Sequence, residues 1–329
     1  MNKKVLVFGG GTGMSYLLKG LKNFPLDITA VVSVCDDGGS TGILRDEFNM
    51  TAVGDIRKVL IALSKTEGDF ENLLNYRFSS LGSLNKHTVG NILLAAATNI
   101  NGNVSSGINI LSKVLNLNGK VMPFTEDLVT LVGEMEDGEI IRGEHLITKC
   151  SKKIKKVYYD EEPKISKELI DEIMHADVIV LSMGSLFTSV IPTLLSKKVR
   201  DAIDKSNAKI VYSCNLFTQP GETENYKVSN HIKTLNEYLG ERKVEYVIAN
   251  KEKISGNLAQ RYATEEQKDP VILDLEEVKK VCKEAIIDDL VIIEKGVFRH
   301  DYFKLGYLIF SLTFDHNYQK DIVWGDQND

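Results

Sequence analysis

The chain has 329 residues, of which 43% are hydrophobic and 26% charged, and it carries a formal net charge of −6. These values are ordinary for a globular protein and exclude a disordered or collagen-like chain. The acidic balance argues against nucleic acid as a partner, and no apolar run approaches the roughly 18 residues of a membrane span. The four cysteines are scattered, without the spacing of a zinc site, which favours a reducing, cytoplasmic compartment.

The first elements have the pattern of a parallel βαβ unit. Residues 5–8 are a short apolar run that ends in glycine, which predicts a buried strand rather than an export signal. Apolar residues recur at helical spacing from Met14 to Leu21 and predict a helix over 13–23. Residues 28–34 form a second buried run, which completes the unit.

Helical patterns dominate the next part of the chain, at about residues 55–64, 69–79, 88–99 and 106–116. The character changes over 120–160, where two β-like runs, 128–135 and 139–147, flank the hairpin signal Asp137-Gly138. A further β-like run covers 154–159. We therefore expect a β-rich, antiparallel insertion or sheet extension over 120–160.

Strands and helices alternate through the remaining sequence. The predicted strands cover residues 177–183, 209–213, 246–249, 271–273 and 290–293. The predicted helices cover residues 166–175, 192–204, 228–239, 255–264, 275–285 and 301–314. The pattern predicts an α/β fold with an open, doubly wound, mostly parallel, Rossmann-like sheet and the β-rich insertion. We expect one domain over 1–318 and a polar tail over 319–329.

A glycine-rich loop at residues 9–13 joins the first predicted strand to the first helix. Glycines let a backbone approach phosphate closely, and a helix N-terminus offers free amides. The loop is not a complete dinucleotide fingerprint, because Met14 stands at the third glycine position, and it is not a Walker A loop. The alternative is a turn that only permits tight packing. We interpret the loop as holding nucleotide phosphates through Gly10, Gly11, Thr12 and Gly13.

A second polar loop, Asp36-Asp37-Gly38-Gly39-Ser40-Thr41-Gly42, follows the second predicted strand. An acid at this position can hold a ribose hydroxyl, and paired aspartates can hold Mg²⁺ beside a diphosphate. Ser40 and Thr41 add hydroxyl donors for phosphate oxygens. The alternative is a polar turn solvated by water.

Two predicted helix starts carry further candidates. Asp55 could be a metal or hydroxyl ligand or only an N-cap, and Arg57 could complement phosphate. His87 could be a general acid–base or a phosphate contact, although a lone histidine is more often structural. Thr88 is the expected cap of that helix, and Asn91 joins the binding candidates.

Small polar residues also follow two strands of the C-terminal half. Gly184, Ser185 and Thr188 come after the strand at 177–183 and indicate a second anion site. Asn215 follows the strand at 209–213, where an open α/β sheet exposes its ligand contacts. Either feature could be only a turn.

Together these motifs resemble the CofD-like superfamily and, within it, the bacterial gluconeogenesis-factor branch. The Asp-Asp-Gly-Gly-Ser-Thr-Gly loop is the most distinctive part, and the resemblance extends from about residue 3 to 315. It rests on Gly9-Gly-Gly-Thr-Gly13, Val34-Cys-Asp-Asp-Gly-Gly-Ser-Thr-Gly42 with Leu44-Arg45, Gly54-Asp-Ile-Arg57, His87-Thr-Val-Gly-Asn91, Gly184-Ser-Leu-Phe-Thr188, and Cys214-Asn215 with Thr218-Gln-Pro-Gly221.

The resemblance implies functions that residue spacing does not. The gluconeogenesis-factor branch is associated with rod-shape maintenance and cell-wall supply on gluconeogenic carbon sources. Its members resemble binders of UDP-sugars, with no catalytic activity firmly attached to them. CofD itself is a 2-phospho-L-lactate transferase of coenzyme F420 synthesis, which moves a phospholactyl group from a nucleotide-activated donor to a deazaflavin alcohol with Mg²⁺.

Three functions remain open at this point. The favoured one is a UDP-sugar-binding regulator, in which Thr188 and Asn215 contact the base or sugar. There, Mg²⁺ or the sugar hydroxyls would be held by Asp36, Asp37 and Asp55. The second is a CofD-type transferase, with the same three aspartates and His87 as catalytic candidates. The third, disfavoured by the incomplete glycine fingerprint, is an NAD(P)-binding protein. Regulatory protein partners and a homo-oligomer are compatible with each.

Overall fold

The computed structural model describes residues 2–65, 68–79 and 81–314. Its strands are β1 (Lys3–Gly9), β2 (Leu26–Val32), β3 (Lys120–Pro123), β4 (Leu131–Met135), β5 (Ile140–Arg142), β6 (Ile154–Tyr159), β7 (Val178–Leu181), β8 (Lys209–Ser213), β9 (Tyr246–Asn250), β10 (Glu284–Asp288), β11 (Val291–Glu294) and β12 (Val297–His300). Its α-helices are α1 (Gly11–Leu21), α2 (Gly39–Phe48), α3 (Gly54–Leu63), α4 (Asp69–Asn75), α5 (Val89–Asn101), α6 (Val104–Val114), α7 (Glu144–Lys149), α8 (Lys167–Met174), α9 (Lys197–Lys205), α10 (Val228–Tyr238), α11 (Asn257–Glu265), α12 (Leu275–Val278) and α13 (Tyr302–Thr313).

A parallel sheet of seven strands forms the centre of the fold, in the order β10-β9-β8-β7-β1-β2-β3. The chain builds outward from β1 to β3, then returns to place β7 beside β1 and builds outward on the other side. The strand order therefore reverses between β1 and β7, and ligands of open α/β sheets bind at such a switch point. The predicted open, mostly parallel α/β sheet is confirmed.

The central strands are buried on both faces. In β1, each of the four residues from Val5 to Phe8 is no more than 1% exposed. The strands β7 and β8 show the same unbroken burial over most of their length. A parallel strand without a solvent-facing side reads as a continuous apolar run, which is why the sequence pattern located these strands.

Two smaller antiparallel sheets accompany the central one. One, in the order β5-β4-β6, lies in the predicted β-rich region, and the other is the hairpin β11-β12. Strand β3, at the start of that region, belongs instead to the central sheet and pairs in parallel with β2. The strand predicted over 139–147 is only half right. Gly143, with a φ of 101°, turns the chain out of β5 and into helix α7.

Near the C-terminal end of the described chain, one prediction is wrong and another is only partly right. Residues 271–273 form no strand, because their backbone bonds tie two loops together: Val271 N donates to Leu216 O and Val228 N to Ile272 O. The helix predicted over 275–285 ends with α12 at Val278, and β10 follows as the outer strand beside β9. The strand predicted over 290–293 is confirmed as β11 (Val291–Glu294), which pairs with β12 in a hairpin outside the central sheet.

Helix α2 is absent from the sequence predictions, because glycines in its first turn disfavour helix by roughly 1 kcal/mol each. The helix predicted over 192–204 is shorter than expected. A 3-10 turn (Ile191–Leu194), which follows a π turn (Leu186–Val190), occupies its start, and α9 begins at Lys197.

The predicted tail over 319–329 lies outside the described residues. Within the described ranges, no helix is long and apolar enough to cross a membrane.

Candidate functional site

The glycine loop lies at the switch point and lets three segments meet without intervening side chains. A β-carbon on Gly13 would come within 2.2 Å of the carbonyl oxygen of Met183, just beyond β7. One on Gly10 would come within 2.6 Å of Asp55 Oδ2. The glycines of the loop therefore permit tight packing between these segments. No side chain caps α1, so the amides of its first turn stay available to an anion.

Asp36 lies half-buried in the loop between β2 and α2. Its Oδ1 accepts a hydrogen bond from Gly38 N at 3.0 Å. Burial raises the pKa of Asp36 and the nearby Asp55 carboxylate raises it further, whereas the Gly38 amide and the Thr41 hydroxyl stabilise the charged form. A β-carbon on Gly54 would lie 3.2 Å from Asp36 Oδ2, so glycine there leaves room for the carboxylate.

Asp55 faces the glycine loop from the first turn of α3. The capping position of this helix is occupied by Val53, so the interpretation of Asp55 as an N-cap is wrong. Its Oδ1 accepts a hydrogen bond from Lys58 Nζ at 2.9 Å. Asp36 and Asp55 lie close enough for the Asp55 charge to raise the pKa of Asp36. The crevice at the switch point, between the glycine loop and these two residues, therefore has an acidic side next to the N-terminus of α1.

Arg57 has a protein partner in the structure. Its Nη1 donates to Asn75 Oδ1, and its aliphatic part packs where a β-carbon on Gly90 would stand, 2.8 Å from Arg57 Cδ. The residue is only 8% exposed, and burial lowers the pKa of its guanidinium. An anion would have to compete with Asn75 for this side chain, and phosphate binding by Arg57 stays a prediction.

His87, Asn91 and Ser40 are brought together in a buried chain of hydrogen bonds. Asn91 Nδ2 donates to Ser40 Oγ at 3.2 Å, and Ser40 Oγ lies 2.9 Å from His87 Nδ1. Since Asn91 supplies one hydrogen, the simplest assignment has Ser40 donate to His87 Nδ1, which leaves the imidazole hydrogen on Nε2. Thr88 caps α5, as predicted. These residues hold the first turn of α2 behind the Asp36 loop.

Asn215 ties together the loops that follow β7 and β8. Its Nδ2 donates to Gly184 O at 2.8 Å, and its Oδ1 accepts from Tyr212 Oη at 2.9 Å. The residue also lines the crevice beside Thr12 and Gly13. Asn215 is therefore positioned by the protein at the expected place, and its contact with a ligand stays a prediction.

Glu222 is a buried carboxylate that the sequence predictions did not include. Ser185 Oγ donates to it at 2.6 Å, and Phe187 N at 3.2 Å. Thr188 Oγ1 lies 3.3 Å from its other oxygen. Burial raises the pKa of Glu222, and these donors partly offset the rise. Ser185 and Thr188 thus bind an internal carboxylate. The sequence feature that could have identified this carboxylate is its position directly after the Thr-Gln-Pro-Gly turn.

Helix α7, from the small antiparallel sheet, adds a second missed carboxylate. Burial raises the pKa of Glu144 to about 7, with further raising effects from the charges of Asp36, Glu222 and Asp37. In the same helix, the amide of His145 donates to Asp37 Oδ1 at 2.8 Å. The β-rich region therefore contributes directly to the acidic side of the crevice.

The described residues do not form a ready-made metal site. Among them, no group of three or more histidine, cysteine, aspartate or glutamate side chains is placed to hold a metal ion. Asp37 in particular is engaged by the α7 backbone. The set Asp36, Asp37 and Asp55 does not fit Mg²⁺ in this arrangement, and Mg²⁺ binding by these residues stays a prediction.

A cleft of about 250 Å³ extends from the glycine loop along the β8 edge. Four phenylalanine and tyrosine rings line it, and three of them contact one another: Phe217 lies 4.8 Å from Tyr262 and 5.3 Å from Phe298 between ring centroids. The fourth ring is Tyr16, and the Arg299 guanidinium, which also belongs to the lining, lies 5.4 Å from its centroid. The lining of the cleft thus combines residues from the first turn of α1 with aromatic rings and a cation.

The fold and the crevice define a class: an open α/β protein with a cleft at the switch point of its parallel sheet. The chain belongs to the family described as 2-phospho-L-lactate transferase CofD, whose sequence model matches residues 5–291.

Relatives and a solved structure agree with this assignment. The gluconeogenesis factor of Bacillus subtilis is 43% identical over 310 residues, covering 94% of this chain and 98% of the relative. The putative gluconeogenesis factor of Thermotoga maritima is 44% identical, covering 93% and 98%. A crystal structure of a Bacillus halodurans protein superposes with a TM-score of 0.91 at 44% identity, over 94% of this chain and 99% of that one.

Proposed function

We propose that this chain is a gluconeogenesis factor that regulates by binding a UDP-sugar at the switch point. The names of its relatives support this proposal. The observation that carries it is the cleft between the uncapped N-terminus of α1 and the aromatic cluster of Phe217, Tyr262 and Phe298. A helix N-terminus suits a diphosphate, and aromatic faces suit a nucleobase.

The proposed binding mode assigns a role to each side of the crevice. The diphosphate lies at the first turn of α1, the base lies against the aromatic rings, and Arg299 adds positive charge. Asp36 accepts hydrogen bonds from ribose or sugar hydroxyls. Ligand binding then shifts the populations of the surrounding loops and thereby a partner surface. We place this regulator in the cytoplasm, acting on cell shape and cell-wall supply during gluconeogenic growth.

A second candidate is a transferase of the CofD type, favoured by the family match and by the Asp36 and Asp55 carboxylates beside the glycine loop. The test is turnover of a nucleotide-activated phospholactate with a deazaflavin acceptor. Formation of the phospholactyl product would assign the transferase reaction, and its absence at high protein concentration would remove it.

Calorimetry with UDP-N-acetylglucosamine tests the main proposal. We expect saturable binding, and we expect Asp36→Ala to weaken it roughly tenfold or more. A hydrogen bond to a charged group contributes about 1.5–3 kcal/mol, and 1.4 kcal/mol corresponds to tenfold in affinity. Asp46→Ala is the matched control, because Asp46 is an exposed aspartate on the neighbouring helix α2.

The control variant should bind as the unchanged protein does. No heat with any UDP-sugar would remove the proposal, and tighter binding of NAD than of UDP-N-acetylglucosamine would favour a dinucleotide protein instead.

The affinity for a UDP-sugar should also depend on pH through Glu144. Its pKa of about 7 means that the crevice loses a negative charge as the pH falls from 8 to 6. The diphosphate keeps its charge over this range, so binding should tighten toward pH 6. Interaction energies on the order of 1 kcal/mol between such charges predict about a fivefold change. In Glu144→Gln, affinity should be nearly constant from pH 6 to 8. A pH dependence that survives this substitution would assign the effect to another group.

A further inference from the structure

A second cavity lies at the carboxyl end of β9. Its volume is about 870 Å³, within the range of pockets that hold small organic ligands. Its walls include residues 250–257, which start at the last residue of β9, and residues 269–273. Ligands of open α/β sheets bind beyond the carboxyl ends of the strands, so the cavity occupies a position where this fold binds small molecules.

A thin wall separates this cavity from the switch-point crevice. Thr218 N donates to Asp269 O at 2.8 Å, and Asp269 N donates back to Thr218 Oγ1 at 3.0 Å. Thr218 lines both cavities, and Phe217, beside it, pairs with Pro270. Two ligands on the two sides of this wall would lie next to each other without sharing the same space.

The lining of the cavity combines apolar surface with a basic rim. Ile254, Ala259 and Val271 provide apolar side chains. The rim carries Lys227, Lys251 and Lys253 against two acids, Glu252 and Asp269.

The two lysines after β9, Lys251 and Lys253, are exposed and form no ion pair with any described residue. An apolar interior with available ammonium groups at its edge favours a ligand with an apolar body and an anionic group.

We propose that this cavity binds a second small molecule: an amphipathic anion, with an aromatic or aliphatic body and a carboxylate, sulfonate or phosphate group. This site is separate from the UDP-sugar site proposed above, and it does not depend on that assignment. The apolar body fills the space between residues 250–257 and 269–273, and the anionic group meets the lysine rim.

The probe for this site is 8-anilinonaphthalene-1-sulfonate, whose fluorescence rises in apolar surroundings. We expect one saturable site on the folded full chain. Ser255→Trp, which places a large ring at the cavity mouth, should remove binding. Lys251→Glu should weaken it at least fivefold. The matched control is Lys198→Glu, an exposed lysine on α9 that does not line the cavity, and it should bind the probe as the unchanged protein does.

Three outcomes would overturn the proposal. Binding that neither Ser255→Trp nor Lys251→Glu changes would place the probe elsewhere. Equal affinity for the neutral analogue N-phenyl-1-naphthylamine would remove the anionic group from the recognition. Stoichiometric displacement by UDP-N-acetylglucosamine would assign the probe to the switch-point crevice. Circular dichroism of each variant confirms that a loss of binding is not a loss of fold.

Discussion

Gly20→Ala should destabilise the protein by about 3 kcal/mol, the upper part of the usual range for overpacking a core. A β-carbon at position 20 would lie 1.8 Å from the carbonyl oxygen of Tyr302 and 2.7 Å from its carbonyl carbon. A β-carbon on Gly306 would in turn lie 2.7 Å from the carbonyl carbon of Gly20. Helices α1 and α13 therefore cross with their backbones in contact, and no rotamer change can relieve the clash.

Inside a helix, alanine normally stabilises a protein relative to glycine by about 1 kcal/mol. A loss of stability in Gly20→Ala would therefore come from the clash between the two helices. Urea unfolding measures the change. Gly82→Ala is the control, since nothing lies within 4 Å of a β-carbon there, and it should shift the unfolding free energy by less than about 0.5 kcal/mol. Equal midpoints for the two variants would mean that α1 and α13 do not cross at these glycines.

Replacing Glu222 should produce the second large effect. In Glu222→Leu the carboxylate that accepts from Ser185 Oγ and Phe187 N is lost. Ser185 can turn to Thr188, whose hydroxyl lies 2.6 Å away, but the buried amide of Phe187 loses its acceptor. Each buried donor without a partner costs about 1–3 kcal/mol, so we expect a loss of about 3 kcal/mol.

Glu222→Gln provides the comparison, because an amide oxygen can still accept from Phe187 N. We expect it to lose less than half as much stability as Glu222→Leu in urea unfolding. The leucine variant should also bind a UDP-sugar more weakly, since the Gly184–Thr188 turn borders the glycine loop. A Glu222→Leu protein as stable as the unchanged chain would show that the network contributes nothing to stability.

Predictions from sequence succeeded where a local pattern had a single physical explanation. The apolar runs of β1, β7 and β9 have no solvent-facing side, so continuous hydrophobicity located them. Thr88 caps α5 through its own side chain, three residues from its donor. The order of strands and helices was then sufficient to predict the open parallel sheet and the crevice at its edge.

Predictions failed where a partner remote in the chain determined the structure. The helix predicted over 275–285 extends into Glu284 and Ala285, but these residues begin β10, which pairs with β9. Arg57 is buried because Gly90 leaves space for it, a contact across 33 residues that no local pattern contains. Glu144 reaches the crevice only because α7 packs there. Burial is the main cause of its raised pKa, and the charges of Asp36 and Asp37 in one loop and of Glu222 in another add to it.

The class of this protein follows from local features of its sequence: a glycine-rich loop after a buried strand, an acidic loop after the next, and an alternation that builds a parallel sheet. These are local properties, since glycine conformation, helix capping and hydrophobic periodicity act over a few residues. Long-range packing brings Glu222 and Glu144 to the crevice and lines the cleft with the rings of Phe217, Tyr262 and Phe298. It also joins α1 to α13 through their glycines. These depend on burial and close approach between distant segments, which arise only when the chain is packed.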